Sequence, residues 1–163
     1  VIRPGCGDGS RVHEPQLRDK KLRLYVEYPS FVPQLSLGSP KTPKLGEWGN
    51  ILERTVVASG AFGDTLKRLR ILMVHDCHFL PAEGRVPHLV VARVAGYDNA
   101  LYGLPDKDVW PLLFEHPSGD VLVATTKLSQ FVTGRYAPND AWERVWQMIL
   151  HWVQPESQLP RLR

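Results

Sequence analysis

The reading of the fold turns on Pro111–Val153, which runs PLLFEHPSGDVLVATTKLSQF (111–131), VTGRYAPNDA (132–141) and WERVWQMILHWV (142–153). Pro117-Ser118-Gly119-Asp120 predicts a turn, because proline presets φ and glycine accepts positive φ. Two apolar strands flank it, Leu112–Glu115 and Val121–Thr126. Val121-Leu122-Val123-Ala124 is apolar without alternation, the pattern of a strand covered on both faces. Beyond a polar loop, Trp142, Val145, Trp146, Ile149 and Val153 recur at helical spacing, with Leu150 and Trp152 widening the same face. Asp140 and Glu143 read as a weak capping box after Pro138. Pro155 and Pro160 stop the helix, leaving a loose tail over 154–163. A helix so apolar needs a sheet or a partner to lie against.

Working backwards, three further strands are clear. Leu22–Tyr28 alternates and ends at Pro29; Arg70–His75 and Leu89–Val94 are continuous apolar runs; Ile51–Ser59 is a weaker fourth. Between them lie a long Pro-rich connection (Ser30–Gly49), a turn at Gly60–Gly63, a single helical turn at Asp64–Leu69, and a loop at Ala95–Pro105 carrying Tyr97, Asp98 and Tyr102. Residues 1–21 are Gly-rich and polar; Cys6-Gly7-Asp8-Gly9-Ser10 lacks the spacing of a phosphate loop and reads as plain loop. Buried strands with a terminal amphipathic helix indicate one α/β domain, with a mainly parallel or mixed sheet and the C-terminal helix packed on it. Helices between the strands are too few for a complete doubly wound fold. Parallel crossovers need about a dozen residues or more, so a mixed or partly antiparallel sheet is the best compromise.

The totals narrow the function. A chain of 163 residues with 43% hydrophobic and 23% charged residues is an ordinary globular domain. A net charge of +3, spread rather than massed, speaks against nucleic acid. No run is long enough to span a bilayer and no signal peptide is visible. With only Cys6 and Cys77, free thiols in a reducing, cytoplasmic compartment are expected. The chain opens on Val1, which reads as a processed form or a piece of something longer.

In open α/β sheets ligands sit beyond the carboxyl ends of the strands. Three such ends carry polar groups: Glu27 and Tyr28; His75, Asp76, Cys77 and His78; and Thr125, Thr126, Lys127 and Ser129, with Arg135 and Tyr136 just beyond. Side by side, they would make a rim suited to hydroxylated ligands. His75, Asp76, Cys77 and His78 are the candidate catalytic residues; Glu27, Tyr28, Thr126, Lys127, Arg135 and Tyr136 the candidate ligand-binding ones. Each has a plainer reading. His75 and His78 are competent metal ligands, but their spacing at a strand end favours a buried, hydrogen-bonded terminus, and His88 and His116 are only possible helpers. No metal or cofactor is expected. Cys77 lacks the small neighbours of a nucleophile elbow. Thr125 and Thr126 can cap local backbone, and Arg135 and Tyr136 can pin their loop. The helix tryptophans are core at that spacing, which leaves Trp48 and Trp110, both in loop-like contexts, as the better stacking candidates.

The segment PLLFEHPSGDVLVATTKLSQF…AWERVWQMILHWV resembles the end of class I glutamine amidotransferase-like domains of the trehalose-utilisation type, over about Leu69–Val153. That resemblance implies a flavodoxin-like or amidotransferase-like fold, incomplete here, of the kind attached to glycoside hydrolases. The family's catalytic members carry a Gly-x-Cys-x-Gly elbow; this chain has none, so no family catalytic residue maps onto it. The expected function is an accessory or binding domain of carbohydrate metabolism, taking a small-molecule or oligosaccharide ligand beside a linked or associated catalytic domain. The alternative is a hydrolase-type enzyme using His75, Asp76 and His78, with or without a metal, its imidazole pair aimed into one cleft. A purely structural domain is the third reading.

Overall fold

The computed structural model describes residues 22–43, 53–83, 86–133 and 138–156. Among the described residues, six strands form one sheet: β1 (Leu24–Glu27), β2 (Glu53–Val57), β3 (Ile71–Val74), β4 (Leu89–Arg93), β5 (Trp110–Glu115) and β6 (Val121–Ala124). Their spatial order is β1-β6-β5-β4-β2-β3. Only β1 and β6 run parallel; the other four pairings are antiparallel. The sheet is therefore mixed, within what the sequence led us to expect, but mainly antiparallel rather than parallel and flavodoxin-like as the resemblance implied. The unalternating runs do mark burial on both faces: Leu122, Val123, Leu89 and Val90 are all fully buried. Among the described residues, loop rather than helix covers the second face, which an antiparallel sheet without crossover helices allows.

α1 (Asn139–Val153) lies on the first face, its buried side made by Ala141, Trp142, Val145 and Ile149. These pack with Leu72, Leu89, Val91, Leu122, Ala124 and Phe131 in the main core. Leu150, expected to widen this face, is 40% exposed. The expected capping box does not form: the cap is Pro138 and makes no side-chain bond, while Asp140 sits in the first turn facing the positive end of the dipole. The helix ends at Val153, where the Gln154 N–H bonds the Leu150 carbonyl. The single helical turn expected over Asp64–Leu69 is irregular turn instead.

The opposite face carries two smaller clusters. Val32 and Ala82 cover Phe114 and Val123, with Leu35 and Leu37 alongside. Val94 and Ala100 cover Val56, Ile71, Val90 and Ala92, with Leu104 and Val109 alongside. The first lid comes from the Pro-rich connection and the segment after β3, stitched by Leu37↔Ala82 and Lys41↔Phe79 bridges. The second is the loop between β4 and β5.

Propagating the pairings along the sheet puts the carboxyl ends of β1, β3, β4 and β6 at one end. β3 is an edge strand four places from β6, roughly 19 Å away in a flat sheet. Yet Phe79, five residues past Val74, bridges Thr126 just after β6. The segment after β3 therefore runs back across this end of the sheet to reach β6. That crossing carries the segment after β3 to the end of β6, where the candidate site lies.

Candidate functional site

Past β3 the chain does three different things in four residues. His75 turns inward and is 1% exposed. Its Nδ1 pairs with Thr55 Oγ1 at 3.0 Å, and the ring meets Phe79 and Phe131 edge-on. Nε2 has no hydrogen-bond partner. Burial pulls its pKa down to about 4, against smaller opposing effects of the Cys77 backbone and Asp76, so the ring is neutral at pH 7. Asp76 and His78 are exposed, and Cys77 lies between them half-buried. The imidazoles of the enzyme reading are thus divided, one in the core and one at the surface.

Asp76, Cys77 and His78 meet Tyr28, from the end of β1, and Lys127 and Gln130, from beyond β6, around an open cleft of about 300 Å³. Tyr28 is placed by a left-handed backbone turn (φ 47°) and by its N–H bond to the Ala124 carbonyl. Lys127 Nζ stands 5.7 Å from the Tyr28 ring centre. Its charge and that of Asp76 share the cleft without pairing with each other. His78 Nδ1 lies 3.3 Å from Thr42 Oγ1. The 3-10 helix Leu128–Thr133 follows Lys127 directly; three residues per turn carry Gln130 to the same side. Gln130 and Thr42 escaped the sequence reading; the i, i+3 spacing at a strand end was the available signal for the first, and nothing local marks the second.

Cys77 is not an activated nucleophile. Its thiol lies 3.4 Å from Asp76 Oδ1 and 3.5 Å from Gln130 Oε1, either of which can accept its proton. Burial first, then the bond to and charge of Asp76, push its pKa up to about 11; Lys127 opposes them only in part. The thiol therefore stays protonated at neutral pH, and it is a free cysteine.

Other candidates are tied into the framework. Glu27 accepts from the Ser129 N–H at 2.7 Å, from the Ser129 hydroxyl at 2.5 Å and from Tyr25 OH at 3.0 Å. It anchors the start of the 3-10 helix to β1 rather than facing a ligand. Burial and the neighbouring Glu27 carboxylate raise the Tyr25 pKa, so the phenol remains a donor. The hydroxyls of Thr125 and Thr126 donate to the Pro111 and His78 carbonyls at 2.7 and 2.8 Å; both side chains are fully buried. Trp110 belongs to β5, and Lys41 Nζ covers its ring at 3.6 Å, so it is not an open stacking face. Arg135, Tyr136 and Trp48 lie outside the described residues. His116 is held by Ser118 and the Pro33 carbonyl, and His88 by Ser59 and Glu115. Among the described residues no group of three or more His, Cys, Asp or Glu is placed to hold a metal ion, and no helix is long and apolar enough to cross a membrane.

Comparison with known proteins finds no matching family model, no matching curated protein and no matching solved structure.

Proposed function

We propose that this is a binding or accessory module of carbohydrate metabolism, taking a small hydroxylated ligand in the cleft of Tyr28, Asp76, His78, Lys127 and Gln130. One observation carries the reading: a cleft built from an acceptor carboxylate, an ammonium, an amide, an imidazole and a phenol ring surrounds a thiol that is kept protonated. Adjacent hydroxyls of a sugar can donate to Asp76 and accept from Lys127 at once, which suits two opposite charges that do not pair with each other. Catalysis through Cys77 would need a base and a lowered pKa, and neither supports it here. We further infer a linked or associated catalytic domain as the partner, and a reducing compartment such as the cytoplasm for the free Cys77.

Ligand-observed NMR with mono- and oligosaccharides tests this. Binding should weaken about tenfold or more in Asp76→Asn and in Lys127→Met, the loss of one charge-assisted hydrogen bond each. It should survive Cys77→Ser. A screen with no binder among neutral, acidic and amino sugars would leave a purely structural domain as the better account.

A further inference from the structure

The hydrogen-bonding capacity of the cleft is lopsided. Asp76 is its single anion, whereas Tyr28, His78, Lys127 and Gln130 all bring N–H or O–H groups. Asp76 is already drawn on, because its Oδ1 lies 3.4 Å from the Cys77 thiol. Gln130 presents Oε1 to the same thiol at 3.5 Å, and its amide N–H groups have no partner among the described residues. The Lys127 ammonium has no ion pair among the described residues and stands only near the Tyr28 ring, at 5.7 Å. Cys77 does not serve as its anion, since burial pushes the thiol pKa up to about 11. The donors also sit on fixed bases. The Thr126 hydroxyl donates to the His78 carbonyl at 2.8 Å, and Phe79 exchanges backbone bonds with Lys41 at 2.8 and 3.1 Å. The Gln130 N–H bonds the Lys127 carbonyl at 3.1 Å, which sets these two side chains one 3-10 turn apart. Thr42 Oγ1, at 3.3 Å from His78 Nδ1, can donate or accept, so Nε2 is able to carry a proton.

We propose that the cleft selects a singly charged acid sugar, a uronic or aldonic acid, with its carboxylate on Lys127 and Gln130 and its hydroxyls on Asp76 and His78. This rests on the sugar-binding reading above and narrows it. A neutral hydroxyl brings a donor with every acceptor, so it does not discharge a surplus of donors, and it leaves the ammonium uncompensated as water leaves the cleft. A carboxylate only accepts, and it matches one ammonium in charge. An amino sugar would pair with Asp76, which already accepts from a thiol, and would set a second cation beside Lys127. A phosphorylated sugar carries a charge of about −1.5 to −2 at pH 7, more than one ammonium balances with Asp76 in the same cleft. A volume of about 300 Å³ is at the small end for ligand pockets and suits one sugar unit rather than a chain.

Titration calorimetry on the full chain tests the proposal, with glucuronate, galacturonate and gluconate set against glucose, galactose, glucosamine and glucose 6-phosphate. At least one uronate should bind about tenfold tighter than its neutral parent sugar. Added sodium chloride should weaken the uronate and leave the neutral sugar unchanged. Lys127→Met should abolish the preference, so that acid and neutral sugars bind alike, and Lys127→Arg should keep it. Asp76→Asn should weaken both kinds of sugar and preserve the preference. The melting temperatures of these variants should match the parent, since both side chains are exposed. Equal binding of acid and neutral sugars by the parent, or a preference that survives Lys127→Met, overturns the inference and leaves the sugar-binding reading standing. So does tighter binding of glucosamine or glucose 6-phosphate. No binding of any of these probes overturns both.

Discussion

The two faces of this sheet are covered by different means. α1 brings Trp142, Val145 and Ile149 onto the first face in a single element, and its own backbone bonds are satisfied within it. The second face is closed by two irregular lids, each held by a few bonds to strand edges and each burying smaller side chains such as Val32, Ala82 and Ala100. A helix concentrates burial and ties it to cooperative folding; a lid spreads burial thinly and leaves side chains free to face outward. The candidate cleft draws on the segments beyond β1, β3 and β6, where exposure does not disturb the packing.

Four substitutions would break or sharpen that contrast. Trp142→Ala, under the helix, should cost about 3–5 kcal/mol in urea unfolding and lower the midpoint of the whole domain. Next is acid. His75, on the helix side, titrates near 4 in the folded chain against an ordinary 6.5. Between those values the unfolded chain takes up the proton and the folded one does not, so stability falls as pH drops from 6.5 to 4 and levels off below. The loss should be about 3 kcal/mol, and a His75→Gln variant should not show it. On the lid side, Gly96 has φ +125°, and a Cβ there would collide with the Asn99 carbonyl oxygen. Gly96→Ala should therefore cost about 2 kcal/mol through backbone strain, with faster hydrogen exchange at the Ile71 and Ala100 amides, which bond the Asp98 and Leu69 carbonyls. Asp98→Asn, removing a largely exposed ion pair with Arg70, should cost less than about 0.5 kcal/mol. If Gly96→Ala proved as damaging as Trp142→Ala, the two coverings would be energetically equal and the distinction would fail.

Strand positions were legible because continuous apolar runs report burial on both faces. Ile71–Val74, Leu89–Arg93 and Val121–Ala124 all fall inside the stretches the sequence marks. Strand direction was not legible, because burial is indifferent to whether a helix or a loop does the covering. β5 begins two residues earlier than expected, since Pro111 reads as a breaker. It is tolerated where the pairing of β4 with β5 shifts register, and its carbonyl still accepts the Thr125 hydroxyl. The meeting of Tyr28, Asp76, His78 and Lys127 could be posed from strand ends, but the crossing that carries Phe79 to Thr126 is tertiary. Likewise Glu27 and His75 look as polar as their neighbours; only packing shows one serving as an anchor and the other as core.

Leu24 finds its strand partner at Val121, and that pairing has a consequence for synthesis. On the ribosome β1 emerges early and must wait for nearly the whole domain to be translated before it has anything to pair with. Phe79 waits in the same way for Thr126. Contacts of such long range make folding slow. A nascent chain stopped before residue 121 leaves an edge and half a cleft exposed, a target for chaperones rather than a smaller working module.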